Sequence, residues 1–414
     1  MPTFPGMAID DSYAAIPHRV AHAHEHQGIE EVVESSEHFT VRGHLHLEEG
    51  KSLPEKAGDA DVFTDLRLSP FTNCMDEAAT GTAQDVAARL NVAKLASLNL
   101  TGEGVAIAIF DTGISLPSLT TSLGRTPTFD ALATWRTLHD SRDPGTWPAG
   151  HGTMCAFDAL IAAPRATLVD FPILEATNLP GGGQFYGFVS SAMMAYGSLL
   201  ASRAHGPLKQ YLAVVASNSW GIFHPNADFP SGHPGRFCDN PNHPLNLQVA
   251  AATRAGIDVL FAAGNCGAGC PHVNCQSRTQ GSIMGCNAVP EVLTIGGCDV
   301  LGVRAGFSSQ GPPIAGMGLQ KPDLMAYTHF LGVALPPFAK PDTGTSAACP
   351  VAAGCVAAIR SSPKASPMNL PPAALFDRLR KTALKPADHP SDTPNDDYGW
   401  GIISPSDAAK DLDL

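Results

Sequence analysis

The chain has 414 residues, 44% of them apolar and 16% charged, with a formal net charge of −13. This length accommodates a large core and more than one structural unit. The negative balance excludes a basic nucleic-acid surface or anionic-membrane surface as the main feature, and the low charged content excludes disorder over the bulk of the chain.

Residues 1–38 are rich in His, Glu and Pro and read as a loop-like, flexible acidic segment. His22, His24 and His26 read there as solvated side chains rather than metal ligands. Residues 1–80 carry 15 acidic and 5 basic side chains, so most of the net charge sits in this first fifth. Apolar and polar residues alternate over Phe39–Leu47 and again over Val62–Leu68, which predicts two short strands. Residues 39–84 thus read as a small β-containing unit, with a linker between Pro70 and Thr82. Apolar residues at 86, 90, 92, 95 and 98 predict a helix over Asp85–Leu98.

From Gly104 the pattern changes. Strands are predicted at Val105–Phe110, Thr167–Ile173, Val214–Asn218, Asp258–Ala262 and Val292–Ile295. Helices are predicted at Gly152–Ile161, Gly187–Ala204 and Leu245–Ala255. Unbroken apolar strands separated by helices require a parallel sheet covered on both faces. The expected fold is α/β: a doubly wound, mainly parallel sheet flanked by helices over residues 85–414, with a small N-terminal β region. Ligands of such folds bind at the carboxyl ends of the strands.

No run of 18 apolar residues occurs, so no transmembrane helix is expected. The start, MPTFPGMAID, lacks the basic and then apolar pattern of a secretory signal, which makes a cytoplasmic location the expectation. Free thiols are then the default for the ten cysteines. Five of them nevertheless crowd between Cys266 and Cys298. For Cys266, Cys270, Cys275 and Cys286, with His272, disulfides, a metal site and free thiols all stay open. Cys155, Cys349 and Cys355 lie on apolar helices and read as small core residues.

Four segments place reactive side chains where the fold puts chemistry. Asp111 closes an apolar strand before Thr112-Gly113; it is either a strand cap or a carboxylate that orients an imidazole. His151 opens a helix between Gly150 and Gly152, as a general base or a structural His. Asn265 follows Ala263-Gly264 at a strand end, as an oxyanion donor or a turn residue. Ser346 stands at a Gly-to-helix transition in Gly344-Thr-Ser-Ala-Ala-Cys-Pro350, as a nucleophile or a helix cap.

Together the four segments resemble the subtilisin-like serine peptidases, in residue types and in the chain order Asp, His, Ser. Ser219-Trp220-Gly221, Phe307-Ser-Ser-Gln-Gly311, Lys321-Pro322-Asp323 and Tyr398-Gly-Trp-Gly401 extend the match over about residues 90–410. The resemblance implies Ser346 as nucleophile, His151 as base and acid, Asp111 as its partner, and Asn265 in the oxyanion hole. It implies Gly182, Gly183, Ser219, Trp220, Gly221, Ala263 and Gly264 as substrate-binding positions. The implied activity is that of an endopeptidase acting on peptides or proteins through an acyl-enzyme. No cofactor is required by it, no metal site is identified, and no nucleic-acid or membrane partner is expected. Structural calcium is common in the family, but no matching ligand loop is found. The alternative function is a catalytically silent scaffold that binds peptides. Insertions at His224–Asn242 and Cys266–Cys286 lie beside the expected cleft, so pocket preferences are not inherited. Trp220 either walls a pocket or packs inside. The N-terminal unit is either a prodomain or a permanent appendage.

Overall fold

A computed structural model describes residues 7–23, 30–45, 47, 53–70, 78–137, 140–148, 150–176, 185–318, 320–333, 341–386, 389–390 and 392–414. The N-terminal region contributes β1 (Met7–Ile9), β2 (Ile16–Ala23), β3 (Glu30–Thr40), β4 (Gly43–Leu45), β5 (Lys56–Ala57), β6 (Ala60–Asp61) and β7 (Arg67–Pro70). β1 pairs antiparallel with β4, β2 with β3, and β5 with β6. The loop-like reading of residues 1–38 is therefore corrected: much of that stretch is a two-stranded ribbon. Its single antiparallel ladder is made by backbone groups, which carry no trace of the apolar alternation used to find strands. The strand expected over 39–47 is instead split. β3 ends at Thr40, and the chain turns at Val41 and Arg42 before β4.

Thr82 opens α1 (Ala83–Arg89) with a reciprocal cap: its hydroxyl accepts from Asp85 N at 3.2 Å, and Asp85 Oδ2 accepts from Thr82 N at 2.8 Å. Asn91, at φ 54°, then breaks the single helix expected here, and α2 (Val92–Ser97) follows. The chain continues through β8 (Val105–Asp111), α3 (Leu116–Leu123), β9 (Thr128–Phe129), α4 (His151–Ala162), β10 (Thr167–Pro172), β11 (Glu175–Ala176) and β12 (Phe185–Phe188). Then come α5 (Val189–His205), β13 (Ala213–Asn218), β14 (Trp220–Gly221), α6 (Pro244–Arg254) and β15 (Asp258–Ala262). β16 (Leu293–Cys298), β17 (Leu324–Tyr327), α7 (Thr345–Arg360), α8 (Pro372–Lys381) and α9 (Pro405–Asp411) complete the chain.

Seven strands form the central sheet in the order β17-β16-β15-β13-β8-β10-β9, and every pairing is parallel. β8 is buried along its whole length because both faces of the sheet are covered. Ile107 and Ile109 pack on one face with Leu160 of α4 and Val356 of α7. Ala106, Ala108 and Phe110 pack on the other with Tyr196 of α5 and Val249 of α6. Each fully buried Ile or Leu contributes about 1.5–3 kcal/mol relative to exposure. The doubly wound expectation holds.

Two contacts position the helices that matter for chemistry. At Gly354 of α7 an added Cβ would lie 2.2 Å from the Ala159 carbonyl of α4, so only glycine lets the two backbones meet. Arg360 at the end of α7 pairs with Asp258 of β15 through two 2.6 Å bonds, with both side chains fully buried.

Candidate active site

Asp111 is the last residue of β8, and its carboxylate is fully buried. Its Oδ1 accepts from Thr112 N at 2.7 Å. The turn that follows needs its glycine: Gly113 has φ +96°, and a side chain there would overlap Trp147. Gly152 is equally constrained, since an added Cβ would lie 2.6 Å from Gly113 O. Gly152 N instead donates to Thr112 Oγ1 at 2.9 Å. These contacts seat the first turn of α4 directly on the end of β8.

His151 is consequently placed over Asp111. Its Nδ1 donates to Asp111 Oδ1 at 2.8 Å and Oδ2 at 2.9 Å. Asp111 can only accept, which puts the proton on Nδ1 and leaves Nε2 as the basic nitrogen. Nε2 is buried and has no hydrogen-bond partner among the described residues.

Ser346 lies in the first turn of α7, where unpaired backbone N–H groups favour negative charge. Gly344 precedes it at φ 81° and lets the chain enter the helix. Ser346 Oγ donates to Ser219 O at 3.3 Å, and Ser219 Oγ donates to Ser346 O at 2.9 Å. Asn265 joins from the end of β15. Its Oδ1 accepts from both Thr345 N and Thr345 Oγ1 at 2.9 Å. That holds the amide with its NH2 as the donor end. Gly264, at φ 104°, donates its N–H to Thr345 Oγ1 at 3.0 Å. Ala263 N is engaged with Ile295 O at 2.8 Å, so this residue stays tied into the sheet.

A second sheet crosses the site in the order β11-β12-β7-β14. β7, from the N-terminal region, lies between the two flanking strands and runs antiparallel to both. Leu68 faces Gly187 and Arg67 faces Phe188 on one side. Ser69 faces Gly221 and Pro70 faces Trp220 on the other.

The subtilase family model matches residues 102–401, which span every one of these site residues except those of β7. The chain belongs to the subtilase family. It is therefore a serine-type endopeptidase, with a peptide or protein as substrate. The crystal structure of a lanthipeptide protease shares the fold, with a TM-score of 0.52 and 19% sequence identity over 80% of this chain and 94% of that one. No curated protein matches the chain significantly.

Several subtilase signatures acquire a physical role here. Phe307 O accepts from Gly267 N at 2.8 Å, and Ser309 Oγ accepts from Cys266 N at 3.0 Å, so the Phe307–Gly311 segment backs the Asn265 loop. Lys321 is buried with its ammonium 2.6 Å from Asp323, whose other oxygen takes Arg380 at 2.9 Å. Trp220 is fully buried and edge-on to Phe261, with ring centroids 5.1 Å apart. Its indole packs inside, while its main chain borders the cleft. Gly182 and Gly183 lie outside the described residues. The flanking strand that the structure places beside β7 is Phe185–Phe188.

The open question over the cysteines resolves in part. Cys266 and Cys275 form a disulfide immediately after Asn265, and Cys270 is also disulfide-bonded. His272 N, inside the loop that this bond closes, donates to Asn265 O at 2.9 Å. Cys238 and Cys286 are free and buried, as are Cys155, Cys349 and Cys355. The insertion at His224–Asn242 is organised by a carboxylate: Asp228 accepts from the backbone N–H groups of Phe229, Phe237 and Cys238.

Two site neighbours escaped the sequence reading. Cys155, one helical turn after His151, has its Sγ 3.6 Å from Asp111 Oδ2 and 3.5 Å from Ser346 O. The i, i+4 spacing from His151 was the available signal. Asp111, His151 and Cys155 present donor atoms within 4.8 Å of one another, a geometry open to a cation. Burial and then Asp111 push the Cys155 thiol well up, so it serves as a neutral S–H donor instead. Asp170 of β10 is the second. It is fully buried, accepts from Ile114 N at 2.8 Å, and is pushed up to about 8 by burial, with Asp111 adding to the rise.

No helix among the described residues is long and apolar enough to cross a membrane.

Proposed function

We propose that peptide-bond hydrolysis proceeds through an acyl-enzyme on Ser346, with His151 as general base and acid and Asp111 as the residue that fixes its tautomer. The observation that carries this reading is the two-oxygen grip of Asp111 on His151 Nδ1, which leaves Nε2 as the proton acceptor. Ser346 Oγ attacks the substrate carbonyl carbon as its proton passes to Nε2. Asn265 Nδ2 and the Ser346 N–H donate to the oxygen as it becomes negative. His151 then protonates the departing amine, and water repeats the sequence on the ester.

The substrate binds as a strand. Main-chain hydrogen bonds from the Ser219–Gly221 and Phe185–Phe188 segments would hold it, as Trp220–Gly221 and Gly187–Phe188 hold β7. On this reading β7 is an internal substrate-like strand. The functional division of the chain then falls just after Pro70, with the preceding residues as a pro-region. Asp65 supports this docking: it accepts from Ser190 N at 2.8 Å and Ser190 Oγ at 2.7 Å at the start of α5. Thr64 adds a 2.9 Å bond to Asp228 in the insertion.

Replacement of Ser346 by Ala tests the proposal against the silent-scaffold alternative. A catalytic Ser346 gives peptidase activity and fluorophosphonate labelling that both vanish in the variant. A scaffold gives neither in wild type.

A further inference from the structure

Seven residues after His151, on the same face of α4, stands Asp158. It is fully buried, and neither carboxyl oxygen receives a hydrogen bond from an N–H or hydroxyl group among the described residues. Its one polar partner among them is the carboxyl group of Asp342. Asp342 lies four residues before Ser346, in the segment that delivers the nucleophile. Its backbone is bridged to Phe330, with Asp342 N to Phe330 O at 2.9 Å. Its Oδ2 accepts from Val333 N at 2.8 Å. Gly332 makes room for that oxygen, since an added Cβ would lie 2.0 Å from it.

Two buried carboxyl groups in contact cannot both be ionised. The surroundings decide where the proton sits. Asp342 has a backbone donor on one oxygen, so it tolerates charge better. Asp158 has none, so it holds the proton and donates it. The directions agree: burial pushes Asp158 well up, with Asp342 adding to the rise, while burial pushes Asp342 up to about 7 against the opposing pull of the Val333 and Asp158 bonds and His151.

No cation among the described residues intervenes. The elements packed on α4 offer Asp111 from β8, Cys349, Cys355 and Arg360 from α7, and Asp85 and Arg89 from α1, while α3 offers no titratable group. Arg360 is committed to Asp258. On α4 itself the neighbours are His151 and Cys155.

We propose that Asp158 and Asp342 are positioning residues: a carboxylic acid–carboxylate hydrogen bond that ties the His151 helix to the Ser346 segment and sets the base against the nucleophile. The link needs one proton. It is intact around neutral pH and fails when alkali removes that last proton, because two adjacent buried charges repel.

The inference rests on Ser346 and His151 being catalytic, so the experiment reads both. The rate of fluorophosphonate labelling at Ser346, and kcat and KM on a peptide ester, are measured from pH 6 to 11 for wild type, Asp158→Asn and Asp158→Ala. The side-chain amide of Asp158→Asn donates permanently to Asp342. This variant is expected to match wild type within about twofold near pH 7 and to keep its rate where wild type falls at high pH. Asp158→Ala is expected to lose roughly 10- to 100-fold in kcat with little change in KM, as a misplaced base would. Circular dichroism establishes that each variant is folded, and the Asn variant keeps the test open if the Ala variant is not. An identical alkaline limb in wild type and Asp158→Asn overturns the inference while leaving the catalytic reading intact. Absence of labelling in wild type overturns that reading and the inference with it.

Discussion

Ser69 of the N-terminal region lies opposite Gly221 in an antiparallel ladder, one position before Pro70 meets Trp220. Ser219, immediately before Trp220, carries the carbonyl that accepts from Ser346 Oγ at 3.3 Å. β7 therefore runs toward the candidate nucleophile.

Self-processing close behind Pro70 follows from that direction. Wild-type protein is expected to give a catalytic species whose N-terminus falls within residues 71–78, and Ser346→Ala is expected to stay full length. Intact-mass analysis of the two reads the outcome. Active wild type that still begins at residue 1 or 2 would make the N-terminal region a permanent domain.

Asn265 is held by Thr345 on one side and by the Cys266–Cys275 loop on the other. Asn265→Ala should lower kcat by about 10²–10³ with KM little changed. Reduction of the disulfide should lower kcat in the same direction by a smaller factor. Equal kcat for Asn265→Ala and wild type would remove the residue from the oxyanion site.

Asp170 makes stability depend on pH. Its folded value of about 8 lies far above the ordinary carboxylate range of about 3.9. Between those limits the unfolded chain binds fewer protons than the folded one, so stability falls as pH rises from about 4 to about 8 and then levels. Asp170→Asn keeps the acceptor for Ile114 N and removes the ionisation. Its urea midpoint should exceed that of wild type by an amount that grows over this interval. Parallel midpoints at pH 5 and pH 8 would count against a neutral Asp170.

The Arg360–Asp258 pair is a structural commitment. Asp258→Ala leaves a guanidinium buried without its carboxylate and should cost about 3–5 kcal/mol in unfolding free energy. A chemical-denaturation curve measures it, and a loss below about 1 kcal/mol, the range of exposed pairs, would contradict the burial of the pair.

The central sheet was legible because strands such as Val105–Asp111, covered on both faces, read as unbroken apolar runs between helical patterns. The candidate site was legible only as a set: Asp111, His151, Asn265 and Ser346 each left a structural reading open, and their joint order and flanking glycines carried the resemblance that assigned their roles. Asn91 hid the break between α1 and α2, since apolar spacing carries no record of a left-handed residue. The β2–β3 ribbon was invisible for the opposite reason: its polar residues lack the pattern by which half-buried strands are found. Asp158 and Asp342 lie 184 positions apart, and only the packing of α4 beside the Ser346 segment brings them together.

Fluorophosphonate labelling of the purified chain reads the nucleophile itself, with and without brief trypsin treatment to remove the N-terminal region, and with the adduct mapped by peptide mass spectrometry. A single adduct on Ser346 is expected, absent in Ser346→Ala and slowed by at least about 10⁴ in His151→Ala. No adduct under either condition, an adduct on another serine, or an undiminished rate in His151→Ala would contradict the proposed mechanism.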